Sequence, residues 1–171
     1  MDYHEQRLKR LRPITDSDAS FLYILLIERE PEMNISHTQM PTWLEHRKFI
    51  NNHPYFAWYV LITSTGAKAG SIYLTFNDEI GIQLLKKYQG NGLGQQAVME
   101  LMYKNPRKQY FANINPKNKK SQKFFRMFKF HCVQWTYRLD YNQSMVLQGM
   151  LTKKRGGTHP VARLFTGGKQ P

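Results

Sequence analysis

Gln89-Gly90-Asn91-Gly92-Leu93-Gly94 is the stretch on which the rest of this sequence turns. Glycines so closely spaced let the main chain approach a ligand and aim several N–H groups at one point. Before them, Glu79-Ile80-Gly81-Ile82-Gln83-Leu84-Leu85 alternates its apolar residues as a strand does. After them, Gln95 to Lys104 carries Ala97, Val98, Leu101 and Met102 at helical spacing. The glycines therefore join a strand to a helix, and the helix adds its positive end. An anion belongs on such a loop, and the build suits a pyrophosphate.

A second motif follows after another strand's worth of chain: Asn115-Pro116-Lys117-Asn118-Lys119-Lys120-Ser121. In this order the two motifs resemble the signatures of the GNAT family, the acyl-CoA-dependent N-acyltransferases. The family's phosphate-loop pattern, Gln or Arg, two residues, Gly, one residue, Gly or Ala, falls on Gln89, Gly92 and Gly94. Its second pattern, an Asn, two residues, a Ser, then an aromatic helix ending in Gly-Phe, falls on Asn118, Ser121, Phe124, Phe125 and Phe130. The resemblance implies an α/β fold (mixed α+β) with a central, mixed, mostly antiparallel sheet of about six to seven strands and about four flanking helices. The sheet is expected to splay between the Glu79 strand and the Gln109 strand to admit acyl-CoA. Acetyl-CoA is the implied acyl donor, its pantetheine arm bonding to strand main chain near Leu84 and Leu85. Gln89, Gly90, Asn91, Gly92, Leu93 and Gly94 are expected to hold the pyrophosphate. Asn118, with Ser121 beside it, is expected at the pantetheine arm, and Lys86, Lys87 or Lys119 at the outer phosphates.

Length and composition fit one domain large enough to bury a core, residues 1–151, followed by a flexible basic tail at 152–171. The charged start, Met1-Asp2-Tyr3-His4-Glu5, and the lack of a long apolar run exclude a membrane span and point to a cytoplasmic protein. The single cysteine, Cys132, rules out an internal disulfide and a cysteine-based metal site, and reads as a small buried hydrophobe. Net charge is +13, from 25 Lys plus Arg against 12 Asp plus Glu. Such a field attracts nucleic acid, acidic proteins or phosphorylated metabolites without choosing among them. Part of the excess is local, because Tyr141 to Pro171 contains no acid.

Along the chain, Arg7–Ile14 reads as a first strand, with Thr15-Asp16-Ser17-Asp18 offering capping oxygens to a helix over Phe21–Glu30 that Pro31 stops. Pro41–Asn51 reads as a second helix. Tyr55–Thr63 and Lys68–Phe76 read as a hairpin closed by Ser64-Thr65-Gly66-Ala67, and Asn77-Asp78 turns the chain into the Glu79 strand. Gln109–Ile114 is a fifth expected strand, and Asn115-Pro116 starts the last helix. Phe130–Leu139 is expected as strand again, with Trp135 and Tyr137 alternating, and Ser144–Leu151 either pairs with it or lies outside the fold.

Transfer to an amine requires the neutral amine, so a base or a water chain must take its proton. Glu79 is the first candidate, since family members often place a carboxylate at the start of this strand; it is equally read as an exposed strand-end acid. His37, in the loop that borders the acceptor pocket in the family, is the second. Family members often carry a tyrosine in the final helix that protonates the departing thiolate, and here that position holds Phe125. Tyr88, Tyr103 or water are the substitutes. Lys129 replaces the usual glycine before the closing Phe130, which touches only a turn. Tyr55, Phe56, Trp58 and Tyr59 can stack a sugar or base, though on a strand such rings more often fill the core. The N-terminal half is similar to members that acetylate amino sugars or protein N-termini. The expected acceptor is therefore a small-molecule amine, with a macromolecule docked on the basic surface, or a fold kept only for binding, as alternatives.

Overall fold

The computed structural model describes residues 7–33 and 39–137. The chain divides into two units, Met1–Phe130 and His131–Pro171. In the first, β1 (Leu8–Pro13), α1 (Ala19–Ile27), α2 (Trp43–Asn51), β2 (Ala57–Thr63), β3 (Lys68–Leu74), β4 (Ile80–Leu84), α3 (Leu93–Lys104) and α4 (Lys119–Met127) follow in order. Short 3-10 turns lie at Asp16–Asp18, Pro31–Met33 and Lys86–Tyr88. The strands form one antiparallel sheet in the order β1-β2-β3-β4.

Strand alternation divides the apolar residues between the two faces of this sheet. Leu61, Ile72, Leu74 and Ile80 pack with Leu93, Ala97, Val98 and Leu101 of α3 and with Phe125 of α4. Trp58 joins the second cluster, which Ala19, Leu22 and Leu25 of α1 and Ile50 of α2 build. The α2 start is a reciprocal cap: the Glu45 N–H donates to Thr42 Oγ1 (3.3 Å) while the Thr42 N–H donates to Glu45 Oε2 (2.7 Å). It places the helix start after Pro41, two residues later than the sequence suggests.

Four strands stand among the described residues, against the six to seven expected. Gln109–Ile114 is not a strand; it makes a single parallel bridge, Phe111 with Glu79. Its polar groups are satisfied elsewhere. The Tyr110 hydroxyl donates to the Asn105 carbonyl (2.9 Å) and accepts the Arg107 N–H (3.0 Å), and the Asn113 amide is turned toward Glu79. His131–Tyr137 forms no helix or strand either. Cys132 is exposed there, so the buried reading fails. The remainder of that expected strand, Ser144–Leu151 and the 152–171 tail lie outside the described residues. Nor does Pro116 open the last helix: it sits in a turn, where the Asn118 N–H donates to the Asn115 carbonyl (2.8 Å), and α4 begins at Lys119.

One polar group is deeply buried between β1, β3 and α1. Asp18 is 0 % exposed and its carboxylate accepts from Arg12 (2.7 Å), Lys68 (2.6 Å) and the Thr15 N–H (2.8 Å). Burial pushes its acidity down, but the bonds from Arg12, Lys68 and Thr15 outweigh burial and hold the carboxyl well below the usual carboxylate range. Asp18→Asn should cost about 3 kcal/mol, the low end for breaking a buried pair, because Arg12 and Lys68 can turn toward water. As the folded value is depressed, the ion-pair contribution is complete above the unfolded value of about 4, begins to decline below it and is lost as pH falls through the folded value. The gap between the urea midpoints of wild type and Asp18→Asn should therefore be full at neutral pH, begin to narrow near pH 3 and close only as pH falls through the depressed folded value.

Helix α4 ends in a Schellman turn. The Phe130 N–H donates to the Phe125 carbonyl (3.3 Å), the Lys129 N–H to the Arg126 carbonyl (3.0 Å), and the Phe125 and Phe130 rings meet at 5.2 Å. Lys129 holds the left-handed position, with φ 67°, that glycine takes without strain. Lys129→Gly should raise stability by about 1 kcal/mol, read as a higher urea midpoint at unchanged slope.

Candidate functional site

The register of β3 against β4 decides which main-chain groups face outward. The Leu85 N–H donates to the Ala69 carbonyl (3.0 Å) and the Thr75 N–H to the Glu79 carbonyl (2.9 Å). By the alternation of an antiparallel ladder, the main-chain groups of Ile80, Ile82 and Leu84 then point away from β3. The Ile80 N–H is bonded to the Phe111 carbonyl (2.7 Å), and the Phe111 N–H returns to the Asp78 carbonyl (2.9 Å). Among the described residues this segment bridges β4 at Glu79 alone. The edge at Ile82 and Leu84 therefore lies beyond the bridge, as a splayed sheet requires. Leu85, expected to serve a ligand, spends its N–H inside the sheet, and Ile82, which alternation alone did not single out, takes its place on the edge.

At the far end of β4 the glycine loop is built as its sequence suggests. Gly90 and Gly92 have φ of 85° and 76°, and Gly92 caps α3 with no side-chain bond. The first N–H groups of α3, those of Leu93, Gly94 and Gln95, have no intrahelical acceptor, and the Gln96 N–H closes the first turn on the Gly92 carbonyl (3.1 Å). Among the described residues a Cβ at Gly90 would meet nothing within 4 Å, so the loop is open at Gly90. Gly94 differs: it is buried, and a Cβ there would press to 3.2 Å of the Phe124 ring, which makes it a contact between α3 and α4. The Leu93 side chain is likewise core. The loop, open at Gly90 and rich in N–H groups, thus fits a diphosphate.

Side chains close around the loop. The Gln89 amide donates to the Leu84 carbonyl (3.0 Å), and Lys120 of α4 donates to Gln89 Oε1 (3.0 Å). Asn91 and Lys87 are exposed, and Lys86, also exposed, pairs with Glu30 (3.4 Å). Asn118 Oδ1 accepts the Ser121 N–H (2.9 Å), so the Asn-x-x-Ser motif caps α4. That bond accounts for the asparagine; it uses only the main chain of Ser121.

Glu79 lies at the other end of β4, half-buried. Its Oε1 accepts from the Asn113 amide (2.8 Å), and its N–H donates to Thr75 Oγ1 (3.1 Å). His37 lies outside the described residues. Phe125 is 5 % exposed and packs edge-on to Phe124 and Phe130. Tyr103, at 86 % exposure, stands at the opposite end of α3 from the loop, about 15 Å along the axis. Tyr88 packs against the sheet core beside the loop.

On the α1 face, Tyr55 stacks on Tyr73 (3.9 Å between centroids, 4° between planes), and Tyr73 occupies the space a side chain at Gly81 would need. Burial, reinforced by Tyr73, raises the Tyr55 phenol well above its ordinary value, so it stays protonated at neutral pH. Arg29 grips Gln83 Oε1 (2.9 Å) while Gln83 donates to the Leu25 carbonyl. Trp58 Nε1 donates to Ser71 Oγ (2.7 Å). With His53, Asn105 and the ends of β1 and β2, the four rings from Tyr55 to Tyr59 line a cavity of about 370 Å³. They are neither solid core nor free surface. Among the described residues no cluster of potential metal ligands occurs, and no helix is long and apolar enough to cross a membrane.

The Acetyltransferase (GNAT) domain matches residues 9–131, and the chain belongs to that family of acetyltransferases, which use acetyl-CoA. Solved structures share the fold. A domain from Methanocaldococcus jannaschii DSM 2661 superposes with a TM-score of 0.64 at 20% identity, over 75% of this chain and 92% of that one. Spermidine N-acetyltransferase from Vibrio cholerae gives 0.59 at 16% identity, over 73% and 80%. A ribosomal L7/L12 alpha-N-protein acetyltransferase in complex with coenzyme A gives 0.59 at 19%, over 77% and 84%. No curated protein sequence matches.

Gly92→Asp should place a carboxylate against the bound phosphates. At ~5 Å and an effective dielectric of ~20 the repulsion is about 3 kcal/mol, so acetyl-CoA affinity should fall by about a hundredfold while the circular dichroism spectrum is kept. Calorimetry showing wild-type affinity in the folded variant would remove the loop from the cofactor site.

Proposed function

We propose that this protein transfers the acetyl group of acetyl-CoA to a primary amine of a small metabolite, an amino sugar being the model acceptor. The main-chain edge at Ile82 and Leu84, bonded among the described residues only where the Leu84 carbonyl accepts the Gln89 amide, runs between the glycine loop at one end of β4 and Glu79 at the other and carries this reading. A donor held with its phosphates on the loop and its arm along that edge presents its thioester toward the Glu79 end. Gly90, Gly92 and the first N–H groups of α3 bind the diphosphate, and Gln89 stiffens the loop by its bond to Leu84. The neutral amine attacks with its lone pair. Glu79, oriented by Asn113, takes the proton, directly or through one water. With Phe125 in place of a phenol, the thiolate departs without help from that position, as its low basicity permits, and is protonated by solvent.

Two of the structural relatives are named for acetylating spermidine and a protein's alpha nitrogen, which share a primary amine and little else. The ring-lined cavity of about 370 Å³ lies at the β1 and β2 side of the sheet, without Glu79 in its lining, and has the size of a small-molecule site, which favours a metabolite over a protein N-terminus. Thiol release from acetyl-CoA, followed across amino sugars, polyamines and peptides, tests the acceptor class: turnover of peptides alone would displace the metabolite.

Glu79→Gln keeps an oxygen for the Asn113 amide and removes only the basicity. It should lower kcat/KM by about a hundredfold at neutral pH and flatten the pH–rate profile, the usual consequence of losing a general base. An unchanged profile would pass the proton to His37 or to solvent.

A further inference from the structure

Much of this protein's excess positive charge lies on one helix and its flanks, part of it against the helix's own preference. Between Leu101 and Tyr137 the sequence has nine Lys or Arg and no Asp or Glu. Six of the nine belong to α4 and its flanks: Lys117, Lys119, Lys120, Lys123, Arg126 and Lys129, all exposed. At about 100° per residue Lys119, Lys123 and Arg126 share a single stripe, with Lys120 beside it and Phe124, Phe125 and Phe128 turned to the core. Among the described residues none of the six takes part in an ion pair.

This arrangement weakens the isolated helix. Cations in the first turn oppose the macrodipole, and Lys119 and Lys123 are a like-charge pair at i, i+4. Helix stability therefore does not explain Lys119, Lys120 and Lys123, although Arg126 in the last turn lies where the dipole favours a cation, and an anionic partner accounts for the stripe as a whole. The donor's phosphates account for the cations nearest the loop, Lys120 through its bond to Gln89 above all. They leave Lys123, Arg126 and Lys129, which continue down the helix, without a role. A protein partner would need an apolar anchor on this face, and Met127 is the one large apolar side chain exposed among the cations of α4. Phosphate backbones need no such anchor; they are held by Lys and Arg alone.

We infer that the outer face of α4 is a docking surface for the phosphate backbone of a nucleic acid, bound without base reading and alongside acetyl-CoA. The surface holds the enzyme on a polyanion; it is independent of which amine is acetylated.

The test uses the full chain, saturated with acetyl-CoA, and a fluorescein-labelled single-stranded RNA of about 20 nucleotides in anisotropy titrations at several salt concentrations. With about five phosphate contacts, affinity should fall by about a hundredfold between 50 and 200 mM salt, a log–log slope near −3.5. Lys123→Gln/Arg126→Gln/Lys129→Asn should make that slope shallower by about 2 and leave acetyl-CoA affinity unaltered; Asn suits the left-handed position at 129. Lys123→Arg/Arg126→Lys, which keeps the charge, should bind RNA as wild type does and guards against a folding effect. An unchanged slope in the triple variant would overturn the inference, since the charge would then act from elsewhere in the chain. So would displacement of the RNA by acetyl-CoA, which would assign these cations to the cofactor. Equal affinity for poly-L-glutamate of matched length would overturn it in favour of an acidic protein.

Discussion

One exchange of hydrogen bonds, Ile80 to Phe111 and Phe111 back to Asp78, closes the outer edge of β4 at its beginning. Everything proposed for the site depends on its going no further. A continued ladder would satisfy Ile82 and Leu84 internally and leave a ligand nothing to bond; a missing one would leave Glu79 without Asn113. The segment after α3 stops pairing because its side chains divert it, Tyr110 into the turn at Asn105 to Arg107 and Asn113 onto the carboxylate.

The inner edge of β4 is set by close approach. Gly81 has no room for a side chain because the Tyr73 ring lies there, and Tyr73 is in turn stacked under Tyr55. Gly94 lets the Phe124 ring of α4 approach the start of α3, while Lys120 reaches Gln89 from the same helix. The loop is thus gripped from α4 and from β4, and its N–H groups are oriented before any ligand arrives. That matters energetically, since a preformed site loses less conformational entropy on binding than a loop that must order.

Charge is used in opposite ways on the two sides of the sheet. Asp18 is buried with both its cations at hand, so its net contribution is structural and sensitive to acid. The α4 cations are exposed and, among the described residues, in no ion pair, so they contribute attraction at a distance that weakens with salt. Retaining the second arrangement at some expense to helix stability is what separates a binding surface from a merely soluble one.

The sequence by itself determined the strand–loop–helix around Gln89 to Gly94, the family, the hairpin of β2 and β3 and the presence, though not the ends, of the other helices. Each rests on local chemistry: glycine's access to positive φ, period-two and period-3.6 patterns, and caps within three residues. It also marked Lys129 as a turn residue, which the left-handed φ explains. What local pattern could not decide was pairing between distant segments. Gln109–Ile114 looks like a strand and is bridged at one residue only, because its side chains bond out of register with any ladder. Leu85 looked like a ligand residue and Ile82 did not, because alternation tells which residues share a side of the strand but not which side the neighbour takes. Asn118 was read as a ligand contact, and the structure adds that its Oδ1 caps α4, a bond that exists only once the next turn of helix is in place. Likewise the rings from Tyr55 to Tyr59 were weighed between core and site, and only the packing of Tyr73, Ser71 and Asn105 around them left a cavity between the two.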